Sequence, residues 1–265
     1  MNALTNHVYA QKCRFRTLFA YRNKNWRSIP ISDNKEPLVL VPPEMCFPYY
    51  SKQMQIWPDE RIFLRRGVYD RFLNARSAIV KKGYSLVVYD GWRPIGLQER
   101  LFWYYMKEFT VAKFSLTQTF ASVNQPEDIK SVFLNLDVST QDALKLANRT
   151  YVSWPSNDPF CPSPHATGGA IDVWLHRDGL PVDLGVPFDW MEENAGAFYH
   201  LRFKRKKFIG NDDLVCKCRN MLIVAMSRAG FTCYGPEIWH FNFGNQMHSL
   251  VSGGPAMYSY IEPAT

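Results

Sequence analysis

The stretch SPHATGGAID, residues 163–172, decides how this 265-residue sequence is interpreted. It places the imidazole of His165 and the carboxylate of Asp172 seven positions apart, with a Gly-Gly pair between them. Glycine suits tight turns because it adopts backbone conformations that other residues avoid, and the apolar run at 170–175 is typical of a buried strand. The stretch therefore predicts a turn that folds His165 back towards Asp172 at the start of that strand.

A second motif, EIWH at residues 237–240, supplies another carboxylate and another imidazole. Side chains alternate between the two faces of a strand, so Asp172 and His240 can face one metal ion if their strands are neighbours. Pro236 places Glu237 on the turn that enters the strand, where the alternation no longer applies. Glu237 is therefore expected beside the metal without binding it.

Together the two motifs have the composition of a hydrolytic zinc site. Two histidines and one aspartate leave a zinc ion with one open coordination position. The remaining glutamate can accept a proton from a water molecule in that position. We interpret the chain as a zinc hydrolase with one Zn²⁺ ion per chain. The other histidines do not lie in a motif with a second candidate ligand, and they are predicted to be ordinary packed or surface residues: His7, His176, His200 and His248.

A third motif, DGWRP at residues 90–94, completes a resemblance to a known family. The three motifs resemble those of the zinc D-alanyl-D-alanine dipeptidases of vancomycin-resistant bacteria, which are related to D,D-carboxypeptidases and L-alanyl-D-glutamate endopeptidases. The family patterns S-x-H-x-x-G-x-A-x-D and E-x-W-H match at every specified position. In the third motif Trp92 replaces the usual tyrosine. The resemblance covers roughly residues 60–245 and implies the fold of the D,D-peptidases and hedgehog domains.

The resemblance also assigns a catalytic role to each motif. It implies that His165, Asp172 and His240 bind zinc and that Glu237 is the catalytic base. Arg93 would donate hydrogen bonds to the carbonyl oxygen of the substrate as that oxygen becomes negative. A planar, permanently charged guanidinium suits this role.

Two further residues are implied to contact the substrate. Ser163 lies at the family position that touches the substrate near the metal. Asp189, in the segment FDWM at 188–191, matches the aspartate that pairs with the free ammonium of a dipeptide. The N-terminal Asn-Phe pair of the family has no clear counterpart, and the segment FPYY at 47–50 is the candidate replacement. The stretch between Arg93 and His165 is longer than in the dipeptidases.

Hydrophobic periodicity predicts the elements around the motifs. A helix is expected from Asp59 to Ile79, with Gly83 as its stop, and a second helix is expected from Pro94. Residues 1–57 are expected to be irregular. The other expected elements are a strand at 85–89, a helical insertion at 114–160, a hairpin at 170–182 turning at 177–179, a helix at 212–226 and strands at 231–234 and 238–243. The pattern predicts a single α+β domain over residues 1–265, in which a small, mainly antiparallel sheet carries the zinc site between flanking helices.

The composition limits which classes of partner and which cellular compartment are expected. The net charge is +7, but the only dense basic cluster is at residues 202–207, which is more typical of a solvated loop than of a phosphate-binding patch. Nucleic acid is therefore not expected as a partner. The six cysteines indicate free thiols in a reducing compartment. No signal-peptide core or membrane span is found, so a cytoplasmic location is expected. A periplasmic or secreted location is the alternative if the natural protein carries a leader. The oligomeric state is left open.

The leading functional hypothesis is zinc-dependent hydrolysis of D-alanyl-D-alanine or a similar short D-amino-acid dipeptide. One alternative is a D,D-carboxypeptidase or an L-alanyl-D-glutamate endopeptidase that acts on cell-wall peptides through the same site in a more open cleft. Another is a non-catalytic, zinc-containing binding domain. Loss of the base or of the arginine would favour the binding domain, and both Glu237 and Arg93 are present.

Overall fold

The computed structural model describes residues 3–149 and 151–263. Its α-helices are α1 (Ala3–Asn23), α2 (Tyr49–Lys52), α3 (Arg66–Val80), α4 (Ile95–Tyr105), α5 (Pro126–Leu134), α6 (Val138–Asn148), α7 (Asp212–Arg228) and α8 (Gln246–Ser252). Its strands are β1 (Leu38–Leu40), β2 (Phe63–Arg65), β3 (Ser85–Asp90), β4 (Ala170–Arg177), β5 (Leu180–Pro181), β6 (Thr232–Cys233) and β7 (His240–Asn242). None of the helices in these residues has both the length and the apolarity needed to cross a bilayer.

A five-stranded antiparallel sheet organises the molecule. Its order is β3-β4-β7-β6, and β5 pairs with the end of β4. In the register of β4 and β7, Asp172 is the direct partner of His240. A separate two-stranded ribbon joins β1 to β2. The antiparallel sheet with helices around it confirms the predicted α+β class. It also meets the condition under which Asp172 and His240 can face one metal, because their strands are neighbours.

Strand β4 is the centre of the main hydrophobic core. Residues 170–175 are all buried, so both faces of the strand are covered. Helix α3 packs against β3 and α7 and contributes Phe72 and Ile79 to this core, while α7 contributes Leu222 and Met226. Burying side chains of this size stabilises a protein by roughly 1.5–3 kcal/mol each. The strand that carries Asp172 is therefore held inside this core.

The β4–β5 hairpin turns at Asp178 and Gly179, as predicted. Both residues have positive φ, 53° and 80° respectively. A two-residue hairpin with two positive φ values is the type I′ turn, for which Asp-Gly is a preferred sequence.

A second hydrophobic cluster lies around helices α4 to α6. It contains Leu101, Phe102, Ile129, Phe133 and Leu144, all of them buried. The helices α5 and α6 lie inside the predicted insertion at 114–160, and their burial against α4 gives this segment a core of its own. The expectation of helices in that stretch is confirmed.

The N-terminal segment corrects the sequence analysis. Residues 1–57 were expected to be irregular, but α1 occupies 3–23. The prediction was wrong because α1 has apolar residues on two faces: Ala10 is buried, whereas Phe15 is 65% exposed. Such a helix shows no single apolar stripe. Tertiary contacts fix it instead, as when the Arg16 guanidinium donates to the Val251 carbonyl at 2.9 Å.

The start of α3 is a second correction. The helix begins at Arg66 and not at Asp59. The Asp59 carboxylate accepts the backbone N–H of Arg61 at 2.9 Å, which favours a local turn over helix initiation. The following residues 63–65 form β2, which pairs with β1.

Candidate active site

Three buried side chains form a compact ligand set between β4, β7 and the turn that precedes β4. The ligand atoms of His165, Asp172 and His240 all lie within 4.8 Å of one another. His165 Nε2 is 3.2 Å from His240 Nδ1 and 3.5 Å from Asp172 Oδ2, and His240 Nδ1 is 3.1 Å from Asp172 Oδ1. Ligands placed tetrahedrally at about 2.0–2.1 Å from zinc would be separated by roughly 3.3 Å. The spacing of the three side chains therefore fits one zinc ion.

The hydrogen bonds around the two imidazoles turn their lone pairs towards this centre. His165 Nδ1 donates to the Gly91 carbonyl at 2.7 Å, and His240 Nε2 donates to Asn242 Oδ1 at 3.2 Å. With those protons placed, His165 Nε2 and His240 Nδ1 are acceptors that face each other. A backbone carbonyl or a side-chain oxygen behind each histidine is the usual support of a metal site.

Asp172 completes the case for a cation. Its Oδ1 is buried and accepts no hydrogen bond. A buried carboxylate oxygen without a donor is costly unless a positive charge binds it.

Glu237 lies beside the ligand set without belonging to it. Its Oε2 is 3.7 Å from His240 Nδ1, and its side chain is 23% exposed. Its backbone N–H bonds to the Tyr234 carbonyl at 3.4 Å, in a turn that includes Pro236. Burial raises the pKa of Glu237 to about 7, and the negative charges of Asp172 and Asp189 add to this effect. A carboxyl with such a pKa is suited to exchange protons near neutral pH.

Arg93 is held by a buried network. Its Nε and Nη2 donate to Asp90 Oδ2 at 2.9 and 2.7 Å, its Nη1 donates to Gln98 Oε1 at 2.8 Å, and its Nη2 also reaches the Tyr50 hydroxyl at 3.3 Å. Burial lowers the pKa of this guanidinium, but the charge of Asp90 raises it, and the net shift is upward. Arg93 is thus a permanent cation. Its Nε and Nη2 hydrogens are used by Asp90 and Tyr50, so Nη1 is the nitrogen that still has one hydrogen free to donate.

The DGWRP motif and the metal-site turn are bonded to each other in both directions. The Gly91 carbonyl accepts from the His165 ring, and the His165 carbonyl accepts the Arg93 backbone N–H at 3.2 Å. Trp92 points elsewhere, because its indole N–H donates to the Ile261 carbonyl at 2.7 Å. The replacement of tyrosine by tryptophan at this position therefore leaves the ligand set untouched.

Asp189 lies in the long loop between β5 and α7. Its φ is 64°, a left-handed conformation that costs most residues about 1 kcal/mol or more and that Asp and Asn tolerate best. The Tyr105 hydroxyl donates to its Oδ2. Burial raises the pKa of Asp189 to about 7, while Arg93 opposes this shift and Asp90 adds to it. A partly desolvated carboxyl of this kind gains from a cationic partner.

Ser163 and the Gly-Gly turn flank the ligand His165 in the chain. Ser163 is buried, and its Oγ accepts the Ala166 N–H at 3.4 Å. Gly168 has φ 67°, and a Cβ there would lie 2.6 Å from Leu38 Cδ2. The turn beside His165 therefore requires glycine for both its conformation and its space.

One cavity of about 970 Å³ lies at the centre of this site. The residues expected from the sequence line it together: Arg93, Ser163, His165, Asp172, Asp189, Glu237 and His240. The sequence analysis missed other wall residues, which come from α1, α4 and the insertion: Arg14, Tyr21, Gln98, Tyr105 and Tyr151. No local signal marked them, because each reaches the cavity only through the tertiary fold. Tyr50, from the segment suggested as a replacement for the family's N-terminal pair, also lines the cavity.

Comparison with known proteins was made against this geometry. A family model described as D-ala-D-ala dipeptidase matches residues 105–254, more than half of the chain. The chain belongs to the D-Ala-D-Ala dipeptidase family. The match confirms the resemblance that the motifs predicted. It includes both histidine motifs and begins after Arg93.

Two curated relatives of this dipeptidase family align over most of their length. The chain is 27% identical over 240 residues to the D-alanyl-D-alanine dipeptidase of Synechocystis sp., covering 84% of this chain and 88% of the relative. It is 25% identical over 177 residues to that of Enterococcus faecium, covering 65% and 68%. A solved variant of the vancomycin-resistance D,D-pentapeptidase VanY in complex with Zn(II) aligns at 13% identity with a TM-score of 0.38, covering 88% of this chain and 97% of that one.

Proposed function

We propose that this protein hydrolyses D-alanyl-D-alanine, or a similar short D-amino-acid dipeptide, with one zinc ion held by His165, Asp172 and His240. The observation that carries the proposal is the convergence of three buried ligand atoms, 3.1–3.5 Å apart, with an unbound carboxylate beside them. The names of the curated relatives support the same substrate.

Zinc at these residues would supply a Lewis acid that polarises the peptide carbonyl and acidifies a water molecule. The protein supplies the proton transfer. Glu237, with a pKa near neutrality, accepts a proton from the attacking water and later delivers it to the leaving amine. Its place on a turn beside His240 leaves the carboxylate facing the cavity.

Arg93 provides positive charge where the carbonyl oxygen becomes an oxyanion. Because Asp90 and Gln98 fix the guanidinium, its charge is already oriented before the reaction begins. We assign the substrate hydrogen bond to Nη1. Ser163, buried next to His165, is proposed to contact the substrate near the metal.

Asp189 distinguishes the substrate classes in this proposal. A free amino terminus would pair with its carboxylate, which lies desolvated in the cavity wall. This favours a dipeptide over a long peptide, whose amino end lies far from the scissile bond. A role as a non-catalytic zinc-containing domain is disfavoured because Glu237 and Arg93 both line the cavity.

The size of the cavity favours a second candidate. A volume of about 970 Å³ is at the upper end of ordinary small-molecule sites and exceeds what one dipeptide fills. A D,D-carboxypeptidase or an endopeptidase acting on cell-wall peptides would use the same zinc chemistry with more of this space. We further propose that the whole chain is one peptidase domain and that it works in the cytoplasm, where its six free thiols would stay reduced.

The deciding experiment is incubation of the zinc-loaded protein with D-Ala-D-Ala, D-Ala-D-lactate and a wall pentapeptide, with products identified by mass. Release of D-alanine from the dipeptide, lost in the Glu237→Gln protein, would support the dipeptidase. Cleavage of the pentapeptide alone would replace it with the carboxypeptidase.

A further inference from the structure

The positive charge of this protein is concentrated in two segments. Residues 1–32 contain six Lys and Arg and no Asp or Glu, and residues 194–211 contain five Lys and Arg and again no acid. The chain as a whole has a net charge of +7, so everything outside these two segments is net negative. Such an asymmetry is typical of a surface that meets an anionic partner.

The two segments touch. Gln11 Nε2 and Arg14 Nη1 of α1 both donate to the Leu201 carbonyl at 3.2 Å. Arg202 and Phe203 follow Leu201 directly, so the basic loop at 202–210 leaves the protein beside α1. Four acids border this loop, and two of them, Glu193 and Asp212, are paired with Arg202 and Arg205. The other two, Glu192 and Asp213, are exposed. Lys204, Lys206 and Lys207 are exposed.

The same surface exposes large apolar side chains. Phe203 is 98% exposed and Ile209 is 96% exposed. On α1, Leu4, Val8 and Phe15 are 72%, 48% and 65% exposed. Spacings of four and seven residues place these three on one helix face, with Gln11 between Val8 and Phe15. Because Gln11 holds Leu201, the apolar stripe of α1 and the loop form one surface, which we call the basic–apolar surface (Leu4, Val8, Phe15, Phe203, Lys206 and Ile209).

We propose that the basic–apolar surface binds the protein peripherally to an anionic lipid membrane. Exposed Phe and Ile side chains can enter the boundary between headgroups and acyl chains, while flanking Lys and Arg are attracted to anionic headgroups. A soluble polyanion would use the cations and leave Phe203 and Ile209 in water. A second copy of the chain would bring two cationic surfaces together, which Coulomb repulsion opposes.

The position of this surface gives the binding a consequence for the active site. Arg14, Leu18 and Arg202 line the active-site cavity, and they adjoin the basic–apolar surface. A bound membrane would therefore lie next to the cavity wall formed by α1, so that peptides released at the lipid surface meet the enzyme there. The lipid binding itself is independent of the proposed peptidase reaction.

Co-sedimentation with vesicles tests the proposal. The zinc-loaded full chain is mixed with phosphatidylcholine vesicles, with or without phosphatidylglycerol, at physiological ionic strength and at high salt. Binding is expected only with phosphatidylglycerol and is expected to weaken in high salt. The double variant Phe203→Ser/Ile209→Ser should bind at least about tenfold more weakly. The matched control is Phe160→Ser/Leu180→Ser, which removes side chains that are 79% and 70% exposed elsewhere, and it should bind like the wild type.

Several results would overturn the proposal. These are no binding to phosphatidylglycerol vesicles, equal loss in the control variant, or binding to polyglutamate or duplex DNA that is as strong as binding to vesicles. A dimer in light scattering that Phe15→Ser dissociates would assign the surface to a second copy instead. Circular dichroism of the same preparations shows that the variants are folded. Hydrolysis of D-Ala-D-Ala by these preparations tests the proposed peptidase separately.

Discussion

Asp172 and His240 face each other across neighbouring strands, and Asp172 Oδ1, which accepts no hydrogen bond, lies 3.1 Å from His240 Nδ1. When His240 Nε2 donates to Asn242, both of these atoms are acceptors. Two buried acceptors at this distance repel unless a cation lies between them. The pair is thus built for a bound metal, and the apo protein should be less stable than the zinc-loaded protein. Tight ligand binding to the folded state alone stabilises it by about 4 kcal/mol at 1,000 times Kd, so zinc should raise Tm in a thermal melt.

Removal of a ligand should remove the metal. His165→Ala, Asp172→Ala and His240→Ala should each lose most of their zinc, because two remaining protein ligands hold zinc weakly. Metal analysis of the purified proteins gives the stoichiometry, with about one zinc per wild-type chain expected. His176→Ala is the matched control, since this histidine bonds to the Tyr89 hydroxyl and does not line the cavity. Full zinc occupancy in the His240 variant would contradict the ligand assignment.

Replacement of the base should separate catalysis from binding. Glu237→Gln keeps the shape of the side chain and removes its proton acceptor. The kcat for D-Ala-D-Ala should fall by a factor of 100 or more, on the order of the contribution of a general base, while zinc content stays the same. Steady-state kinetics with metal analysis checks both; a variant with normal kcat would exclude Glu237 as the base.

Arg93→Lys should lose rate because an ammonium cannot hold Asp90, Gln98 and the substrate at once. Loss of an oxyanion donor costs on the order of 100- to 1,000-fold in kcat. Arg61→Lys is a suitable control, because Arg61 forms an exposed pair with Asp59 outside the cavity. If Arg93→Lys has unchanged kinetics, the arginine takes no part in the mechanism.

Asp189 should make dipeptide binding depend on pH. With a pKa of about 7, this carboxyl is mostly protonated below pH 7, and only its ionised form pairs with an ammonium. The Kd for D-Ala-D-Ala should therefore rise about tenfold per pH unit as pH falls below 7 and should level off above it. Calorimetry on the Glu237→Gln protein measures this without titration of the base.

The Asn variant at this position provides the comparison. Asp189→Asn keeps a residue that tolerates the left-handed backbone and removes the charge, so its Kd should vary little with pH. It should also narrow the preference for D-Ala-D-Ala over N-acetyl-D-Ala-D-Ala. A wild-type preference for the acetylated compound would favour the carboxypeptidase alternative.

The turn beside His165 offers a test of local strain. Gly168→Ala forces a positive φ on alanine and drives its Cβ against Leu38, so it should destabilise the protein by more than about 1–3 kcal/mol and weaken zinc binding. Gly83→Ala has a similar φ of 77° with nothing within 4 Å of the added Cβ. That control should lose only about 1 kcal/mol and keep its zinc, as thermal unfolding and metal analysis would show. Equal effects of the two changes would mean that the contact with Leu38 is unimportant.

The sequence predicts the parts of this site that depend on local pattern. Alternation within β4 and within β7 was enough to assign the faces on which Asp172 and His240 lie, although the pairing of the two strands was only assumed. The Asp-Gly pair at 178–179 was enough to place the hairpin. Pro236 was enough to put Glu237 on a turn. Each of these inferences needed only residues close together in the chain.

The features that the sequence did not predict depend on distant contacts. Tyr105 and Asp189 are 84 positions apart, and only the packing of α4 against the loop after β5 joins them. Helix α1 has apolar residues on two faces, so its periodicity is hidden until the protein covers one of them. The pairing of Arg93 with Asp90 lies within one motif, but the Tyr50 hydroxyl that Arg93 Nη2 also reaches is 43 positions away.

The reciprocal bonds between the DGWRP motif and the metal-site turn have an evolutionary consequence. The Gly91 carbonyl orients the His165 ring, and the His165 carbonyl holds the Arg93 backbone. A shift in the backbone of one segment would therefore misplace the metal ligand His165 or the guanidinium of Arg93 in the other. Substitutions in the two segments should therefore be tolerated together more readily than singly. The two motifs are expected to be inherited as one unit, although Gly91 and His165 are 74 positions apart in the chain.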